Sequence, residues 1–436
     1  MKTATSLLVL CFGFTAWASD STNTSAAVNL KEYDVRAFGA KGDGETEDSA
    51  AIQKALDECG QAGGGTVRFP AGTYLSKPIS LRSKTTMLLE AGAKLQATKE
   101  HKDFMKSPGD WLTAKSSGDF IPLISGRDLT DVTITGKGII DGAGEVWWGP
   151  AEEARRKTPG YTLPRPRLII LWGCKNVKIT GITLQNSPTF HLVPTDCEDV
   201  LIEGVTILSP EHAANTDAID PSVSRRVTIT NCVIDVGDDN VAIKSGRRMP
   251  GREFACQDIT ITDCVFRHGH GMSIGSETVG GVRNVLVKNC TFEGTENGLR
   301  IKSPRGRGGT VENITYTNIT MKDCRPNAIT ITCYYPKIPK TDTAQPVTSE
   351  TPKFRNIRIA NVKATSQNAA GVIIGLPESL AENVVLENVQ ISAPTGLTIR
   401  NAKGVRLKNV EVKVERGEPI IVEDAQVEGW EKGKDK

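Results

Sequence analysis

Apolar and polar residues alternate in short stretches that recur along most of the chain. The clearest read "VTITGKGI" from Val132, "VKITGITL" from Val177, "VLIEGVTI" from Val200, "VTITNCVI" from Val227 and "ITITDCVF" from Ile259, and similar stretches begin at Val285, Ile314, Ile357, Val384 and Val405. Alternation with a period of two predicts strands that bury one face. The fifth residue of each stretch is glycine, asparagine or aspartate, which predicts a left-handed backbone bend into a second strand.

The spacing of these stretches decides the fold class. They follow one another at roughly 21 to 45 residues, which suits the coils of a solenoid better than βαβ units. We therefore predict an all-β fold, a right-handed single-stranded parallel β-helix that forms one domain over residues 19–436. Segment 47–63 has helical periodicity, with one apolar face made of Ala51, Ile52, Ala55, Leu56 and Cys59. We expect this short helix to cap the N-terminal end of the solenoid.

The N-terminus has the layout of a signal peptide. Lys2 precedes the apolar run "LLVLCFGF", and small residues follow up to Ala18. We expect cleavage after Ala18 and a secreted or periplasmic protein. The alternative, a lipid anchor at Cys11, is disfavoured because Leu10 occupies the place where a lipoprotein signal has a small residue. No other segment is apolar enough to span a bilayer, and we expect no membrane association.

Composition and charge exclude several classes of function. Of the 436 residues, 38% are hydrophobic and 24% charged, and the formal net charge is +2, which argues against a nucleic-acid partner. Beyond Cys11, no cysteine spacing is a zinc motif, and we expect neither a metal nor a cofactor. Cys232, Cys264 and Cys290 follow the bend in consecutive coils, so we expect stacked buried thiols rather than disulfides. We expect a monomer.

A second strand in each coil carries the candidate chemistry. We align these strands on their central isoleucines, Ile219, Ile243, Ile274, Ile301 and Ile331. A column of polar residues precedes them, made of Asp217, Asp239, His270 and Asn297, with Asp238 one residue earlier. Outward side chains then form a first row of Asp220, Ala242, Ser273 and Arg300 and a second row of Ser222, Lys244, Gly275 and Lys302. We expect both rows to be exposed and His191 to begin the first.

Three aspartates from this column would form a carboxylate cluster. Asp217, Asp238 and Asp239 cannot all ionise without cost, so at least one should hold its proton toward neutral pH. An inverting glycosidase needs such a division between an acid and a base.

The order of four motifs on a repeating β-helix resembles the polygalacturonase family, glycoside hydrolase family 28. These motifs are "NTD" (215–217), "GDD" (237–239), "GHG" (269–271) and "RIK" (300–302), and the similarity extends to "YDVRAFGAKGDG" from Tyr33. The resemblance implies hydrolysis of α-1,4-galacturonosyl linkages in homogalacturonan, an acidic polysaccharide of pectin.

The resemblance also implies roles for individual residues. Asp238 would be the general acid, and Asp217 and Asp239 would orient and deprotonate the attacking water. His270 would tune the acid or hold the sugar. The expected substrate contacts are Asn215, Arg300, Lys302, Tyr335, Lys244 and His191, among which Tyr335 matches an active-site tyrosine of the family although Tyr334 adjoins it.

Other interpretations stay open on the sequence alone. The aspartates could be turn formers, His270 a structural histidine, Arg300 and Lys302 a solvated basic face, and the Asp–His cluster a metal site. Exo-acting galacturonosidases, rhamnogalacturonan hydrolases, pectate lyases and non-catalytic carbohydrate-binding β-helices are the alternative functions. Segments 101–120 and 149–167 do not fit the coil pattern, and we expect them to form loops beside the groove.

Overall fold

The computed structural model describes Met1 and residues 31–159, 161–246 and 254–430. The predicted cleavage site after Ala18 lies outside the described residues. Within the described ranges, no helix combines the length and the apolar character needed to cross a membrane.

Parallel strands make up most of the chain. The first sixteen are β1 (Glu32–Asp34), β2 (Asp43–Glu47), β3 (Gly65–Phe69), β4 (Gly72–Ser76), β5 (Ile79–Ser80), β6 (Thr85–Leu89), β7 (Ala93–Ala97), β8 (Ile124–Arg127), β9 (Thr130–Gly136), β10 (Ile139–Asp141), β11 (Ile169–Trp172), β12 (Lys175–Thr180), β13 (Thr183–Gln185), β14 (Leu192–Thr195), β15 (Glu198–Glu203) and β16 (Thr206–Leu208). The others are β17 (Arg225–Thr230), β18 (Val233–Asp235), β19 (Val241–Ile243), β20 (Cys256–Thr262), β21 (Val265–Arg267), β22 (Met272–Gly275), β23 (Val282–Lys288), β24 (Thr291–Glu293), β25 (Asn297–Lys302), β26 (Thr310–Cys324), β27 (Asn327–Thr332), β28 (Lys353–Ser366), β29 (Ala369–Ile374), β30 (Ala381–Ala393), β31 (Thr395–Val414) and β32 (Ile420–Glu428).

These strands form three parallel ladders, so each coil contributes one strand to each of three sheets. Sheet 1 joins β1, β3, β6, β9, β12, β15, β17, β20 and β23 and continues through the first parts of β26, β28 and β30. Sheet 2 runs from β2 through β10 to β24 and the later parts of the same long strands. Sheet 3 contains β5, β8, β11, β14, β19, β22, β25, β27 and β29. The prediction of a right-handed parallel β-helix is confirmed.

Left-handed residues make the corner between sheets 1 and 2. All ten fifth-place residues have positive φ, from 51° at Asn409 to 123° at Gly136, as predicted. The residue immediately before each stretch also has positive φ, which was not predicted although nine of these ten residues are asparagine, aspartate or glycine and the tenth is Arg226. Asparagines at the corner bond to each other along the axis. Asn318 donates to Asn289 at 3.1 Å and accepts from Asn361 at 3.1 Å.

The interior of the coils is apolar and contains the cysteines. In the described part of the chain, nine cysteines are free and buried. Cys232, Cys264 and Cys290 lie in successive coils and interact through their thiols. The prediction of stacked thiols is confirmed for these three.

Two helices flank the first coils. Helix α1 (Ser49–Gln61) buries Ile52, Ala55, Leu56 and Cys59 and packs against β1, β3 and β5, which confirms the predicted N-terminal cap. Helix α2 (Glu145–Lys157) was not predicted, because Gly149 and Pro150 read as a loop. Segment 149–167 is therefore partly helical. Segment 101–120 contains three short 3₁₀ turns, His101–Phe104, Trp111–Thr113 and Ser117–Asp119.

The strand register in sheet 3 differs at one place from the predicted alignment. Ile219 lies opposite Val241 rather than Ile243, and Ser222 lies opposite Lys244. The predicted alignment of Ile219 is displaced by two residues along the strand. Because side chains alternate between the two faces, a displacement of two residues keeps every side chain on the same face. The offset of Ile219 from Val241 brings Asp217 level with Asp239, so the predicted column remains.

Candidate active site

The predicted column forms where chain segments enter sheet 3. Asp238 and Asp239 precede β19, His270 precedes β22, and Asp217 lies one coil earlier. The backbone N–H of Asp239 donates to Oδ1 of Asp238 at 2.8 Å. Neighbouring coils thus bring three carboxyl groups, distant in sequence, onto one face of the solenoid.

The two predicted rows face outward but are not exposed. Asp220, Ala242 and Ser273 of the first row have at most 1% of their surface accessible. Lys302 of the second row has 5%. Both rows are therefore largely buried, and the long side chains of Lys244 and Arg300 keep only 18% and 15% of their surface accessible.

Asp238 and His270 form an ion pair. His270 Nδ1 lies 2.9 Å from Asp238 Oδ1, and His270 Nε2 lies 3.4 Å from Glu296 Oε2. Burial alone would raise the pKa of Asp238, but the hydrogen bond and charge of His270 lower it below its ordinary value. Burial alone would lower the pKa of His270, but the hydrogen bond and charge of Asp238 raise it. At 16%, the Asp238 side chain is the most accessible of the three aspartates.

Asp239 is surrounded by donors. Ser273 Oγ donates to its Oδ1 at 2.7 Å, and Lys302 Nζ donates to its Oδ2 at 3.0 Å. Arg300 Nη1 lies 3.6 Å from Oδ1. Burial would raise the pKa of Asp239, but the charges of Lys302 and Arg300 lower it strongly, so this carboxylate stays ionised.

Asp217 carries the raised pKa of the cluster. Burial raises it well above the ordinary value, and Asp238 and Asp220 add to the effect, whereas the charge of Lys244 opposes it. Burial likewise raises the pKa of Asp220 to about 6, against the charge of Lys244. One of the three aspartates therefore has the raised pKa that the sequence predicts. In this arrangement it is Asp217 rather than Asp238, because His270 stabilises the Asp238 carboxylate.

Lys244 contacts two carboxylates. Its Nζ lies 3.0 Å from Asp217 Oδ2 and 2.6 Å from Asp220 Oδ2. Burial would lower the pKa of Lys244, but the charges of both aspartates raise it well above its ordinary value. This geometry lets Lys244 position the two carboxyl groups, and its expected substrate contact stays a prediction, since 18% of the side chain is accessible.

Arg300, Lys302 and Tyr335 lie together beside the carboxylates. Lys302 Nζ is 5.2 Å and the Arg300 guanidinium carbon 5.9 Å from the centre of the Tyr335 ring. Tyr335 is exposed, whereas the hydroxyl of Tyr334 donates to Asp342 at 2.7 Å. Of the two adjacent tyrosines, Tyr335 is therefore the one beside the site.

His191 does not join the rows. It is fully buried, donates from Nδ1 to the Asp217 carbonyl oxygen at 3.1 Å and accepts from the Ser187 N–H at 3.4 Å. Burial lowers its pKa to about 4, so the ring is neutral. Since Leu192 lies opposite Ile219, the residue that begins the first row is Val193. The expected substrate contact of His191 is wrong, because its side chain has no accessible surface.

Comparison with known proteins identifies the family. Residues 59–415 match the model described as glycosyl hydrolases family 28. The chain belongs to glycosyl hydrolase family 28. It is 35% identical over 407 residues to an endo-polygalacturonase of Pectobacterium carotovorum subsp. carotovorum, covering 90% of this chain and 95% of that protein.

Solved structures of family 28 members are similar over nearly the whole chain. The polygalacturonase from Erwinia carotovora ssp. carotovora is 32% identical with a TM-score of 0.70, covering 93% of this chain and 100% of that one. A hyperthermoactive exopolygalacturonase from Thermotoga maritima is 28% identical with a TM-score of 0.71, covering 92% of each. The resemblance drawn from the four motifs is thus confirmed.

Some residues of this family 28 site were missed by sequence reasoning. Arg165 is buried, donates from Nη2 to Asn215 Oδ1 at 3.0 Å, and has no hydrogen-bond partner for Nη1 among the described residues. Burial lowers its pKa to about 10, although the charge of Asp238 opposes this. Asn215 in turn lies 3.5 Å from Asp238 Oδ2. Ser273 was placed in the first row without a role, whereas nothing in the irregular segment around Arg165 indicated its position.

Three groups of this family 28 site could together hold a metal ion. The donor atoms of Asp238, Asp239 and His270 lie within 4.8 Å of one another. However, Lys302 and Ser273 occupy both oxygens of Asp239, and His270 Nδ1 already bonds to Asp238. The ammonium group of Lys302, 3.0 Å from Asp239, would repel a cation at this place, so the donor set fits a metal poorly.

Proposed function

We propose that this protein is a polygalacturonase that hydrolyses α-1,4-galacturonosyl linkages of homogalacturonan with inversion at the anomeric carbon. One observation carries the proposal: an aspartate cluster lies directly beside Arg300 and Lys302 on the same sheet. Carboxylates supply acid and base, and the adjacent cations suit a uronate substrate. The names of the family members reported above support the same activity.

We assign the general acid to Asp238. Its carboxyl group is the most accessible of the three and can reach a glycosidic oxygen. It must be protonated when the substrate is bound. A bound uronate adds negative charge and excludes water, and both effects raise the pKa of a neighbouring carboxyl group. His270 holds Asp238 in place through the 2.9 Å contact.

Asp239 and Asp217 are assigned to the attacking water. Asp239 is ionised and can accept the proton of the water molecule, while Asp217 orients it. When Arg300 and Lys302 contact a uronate carboxylate, they attract Asp239 less strongly, and its basicity rises. Nη1 of Arg300 has no hydrogen-bond partner among the described residues, which leaves one donor for that contact. Tyr335 and Asn215 complete the proposed substrate contacts.

The cellular location and the oligomeric state of the protein are also proposals. Residues 1–18 would direct export and be removed after Ala18, leaving a monomer that acts on pectin without a membrane or nucleic-acid partner. Mass spectrometry of the mature N-terminus tests the cleavage.

The proposed activity is tested by digesting homogalacturonan and following new reducing ends, product sizes and the first-formed anomer by NMR. We expect saturated products whose reducing ends have the β configuration first. A chelator-sensitive reaction with an ultraviolet-absorbing product would indicate a lyase instead. Faster hydrolysis of rhamnogalacturonan than of homogalacturonan would indicate a rhamnogalacturonan hydrolase.

The same digest separates endo from exo action. The exo alternative rests on the similarity to the Thermotoga maritima exopolygalacturonase. Early products of mixed length indicate endo action, and monomers or dimers released alone indicate exo action.

A further inference from the structure

Arg165 is a buried cation beside the aspartate cluster, and none of the roles proposed above uses it. Its segment lies outside the coils, between α2 and β11, and only 1% of its surface is accessible. Nε donates to the Leu163 carbonyl oxygen at 3.3 Å, and Nη2 donates to Asn215 Oδ1 at 3.0 Å. Burial of a charged group is unfavourable unless charges or hydrogen bonds compensate it. The charge of Asp238 provides such compensation, which connects the guanidinium to the proposed general acid.

Arg165 determines which end of the Asn215 amide faces the general acid. An amide has an accepting oxygen at one end and a donating NH2 group at the other, whereas a guanidinium only donates. Oδ1 of Asn215 must therefore face Arg165, and Nδ2 faces Asp238, whose Oδ2 lies 3.5 Å away. Without Arg165, rotation about the last side-chain bond of Asn215 would exchange the two ends, because that torsion has a broad, roughly two-fold preference.

The two oxygens of Asp238 have different neighbours. Oδ1 lies 2.9 Å from His270 Nδ1 and accepts from the Asp239 backbone N–H at 2.8 Å. Oδ2 has the longer contact, 3.5 Å, with Asn215 Nδ2. Because two donors already occupy Oδ1, Oδ2 is the oxygen that can carry the proton for the glycosidic oxygen.

A reversed Asn215 amide would compete with the substrate for this proton. Its oxygen would then face Asp238 Oδ2 and accept a hydrogen bond from the protonated carboxyl group. That bond would direct the proton away from the leaving oxygen. With the NH2 group in this place, as observed, Asn215 offers no acceptor to the proton, which stays available to the substrate.

We propose that Arg165 is a positioning residue of the general acid, which holds the Asn215 amide so that the proton on Asp238 Oδ2 is left for the glycosidic oxygen. The inference rests on the proposed polygalacturonase activity and on Asp238 as its acid. Its consequence is that Arg165 supports departure of the leaving group and contributes little to the binding of substrate.

The charge of Arg165 acts on the acid as well. The other charged groups that act on Asp238 are His270, Lys302, Asp239 and Asp217. Loss of the guanidinium, and of the N–H that it directs at Asp238, removes two effects that stabilise the carboxylate, so the pKa of the acid should rise. In Arg165→Met, the alkaline limb of the pH profile of kcat should therefore move to higher pH while its maximum falls. A purely structural role would lower the maximum and leave the limb in place.

The test measures kcat and KM of the wild type, Arg165→Met and Arg165→Lys on two oligogalacturonides of equal length. One is unmodified, and its leaving oxygen needs a proton. The other carries a dinitrophenyl group at its reducing end, which departs without protonation. On the unmodified substrate we expect kcat of Arg165→Met to fall about tenfold while KM changes less than about twofold. Release of dinitrophenol should slow less than about twofold. Arg165→Lys, whose ammonium group also only donates, should restore part of kcat.

Asn215→Ala tests whether Arg165 acts through the amide. In that background, Arg165→Met should reduce kcat little further, because there is no amide left to orient. The matched control is Arg68→Met, which removes a partly buried arginine on sheet 1 that pairs with three carboxylates. Its kcat should equal that of the wild type, and thermal unfolding of every variant checks that the fold persists.

Three results would overturn the positioning role while leaving hydrolysis established. These are equal losses of kcat on the two substrates, losses that add independently to that of Asn215→Ala, or wild-type kcat in Arg165→Met. If the wild-type protein cleaves no galacturonan at all, the proposed function fails and this inference fails with it.

Discussion

Three aspartates of the same site differ in pKa because their neighbours differ. Asp238 faces His270, Asp239 faces Lys302 and Ser273, and Asp217 is buried beside Lys244 with other carboxyl groups near it. The same side chain therefore has a lowered pKa in two positions and a raised pKa in the third. Environment, rather than residue type, assigns the roles.

Replacement of Asp238 by asparagine removes the proposed acid and keeps the shape of the side chain. We expect kcat on homogalacturonan to fall at least about a hundredfold, because the leaving oxygen loses its proton donor. The control is Asp263→Asn, which makes the same chemical change at an exposed corner residue. A folded Asp238→Asn protein with near-normal turnover would exclude Asp238 from the acid role.

Lys244 neutralises two buried carboxyl groups, so its loss should affect stability. We expect Lys244→Met to lower the free energy of unfolding by about 3–5 kcal/mol, because an uncompensated charge is left at Asp220. Adding Asp220→Asn should restore part of that loss. Urea denaturation of the wild type, the two single variants and the double variant measures this effect as a double-mutant cycle. Strictly additive losses would show that the Lys244 and Asp220 side chains do not interact.

The His270–Asp238 pair predicts a pH-dependent stability. The hydrogen bond and charge of Asp238 outweigh burial and raise the pKa of His270 above its ordinary 6.5. The charged ring therefore stabilises the folded state fully below pH 6.5, and this contribution is lost as the pH rises through the raised pKa. The difference in unfolding free energy between wild type and His270→Gln should shrink with increasing pH. A difference that stays constant from about pH 5 to pH 9 would contradict the ion pair.

The corners of the coils are the elements that the sequence predicts best. The fifth residue of every stretch was predicted to bend the chain and does so, since glycine, asparagine and aspartate tolerate positive φ. The bend one residue before each stretch escaped prediction although asparagine, aspartate or glycine occupies nine of the ten positions, because the alternating pattern that defines each stretch begins one residue later. Helix α2 escaped because Pro150 lies in its first half, where proline is tolerated only near the helix start.

The corner asparagines provide a test at this scale. Asn318→Ala removes the side-chain hydrogen bonds with Asn289, Asn361 and Thr317 and leaves an alanine in the left-handed conformation at φ 55°, so we expect a loss of about 2–3 kcal/mol in unfolding free energy. Asn318→Gly keeps the backbone conformation and loses only the hydrogen bonds. Chemical denaturation should rank wild type above glycine and glycine above alanine. An alanine variant as stable as the glycine variant would refute the role of positive φ.

At the scale of the whole molecule, the repeated coils made the fold predictable from the sequence. The parts of the site that lie outside the repeats were not predicted. Stacked coils place Asp217, Asp239 and His270 together once the register of sheet 3 is known. Prediction failed for His191, whose side chain turns inward, and for Arg165, which a segment outside the coils delivers to Asn215. Insertions between coils do not repeat along the chain. Aligning the coils therefore cannot predict the contacts that residues of an insertion make.

The buried cysteines predict how the whole protein reacts with thiol reagents. The nine described cysteines should react slowly while the protein is folded, because all are buried. After denaturation, nine thiols should react if cleavage follows Ala18, since the chain has ten cysteines including Cys11. A colorimetric thiol titration with and without denaturant measures both values. Rapid reaction of the folded protein would contradict the burial of the stack.

The stack of buried thiols also limits how slowly the protein can fold in an oxidising compartment. A cysteine is protected from oxidation only after its own coil has closed, and disulfide formation takes seconds to hours in an oxidising compartment. If the protein is exported as proposed, coil closure must therefore be faster than oxidation, or bonds between cysteines of different coils will form in the open chain. The yield of active protein should then depend on the oxidant present during folding, although the folded protein itself is insensitive to it.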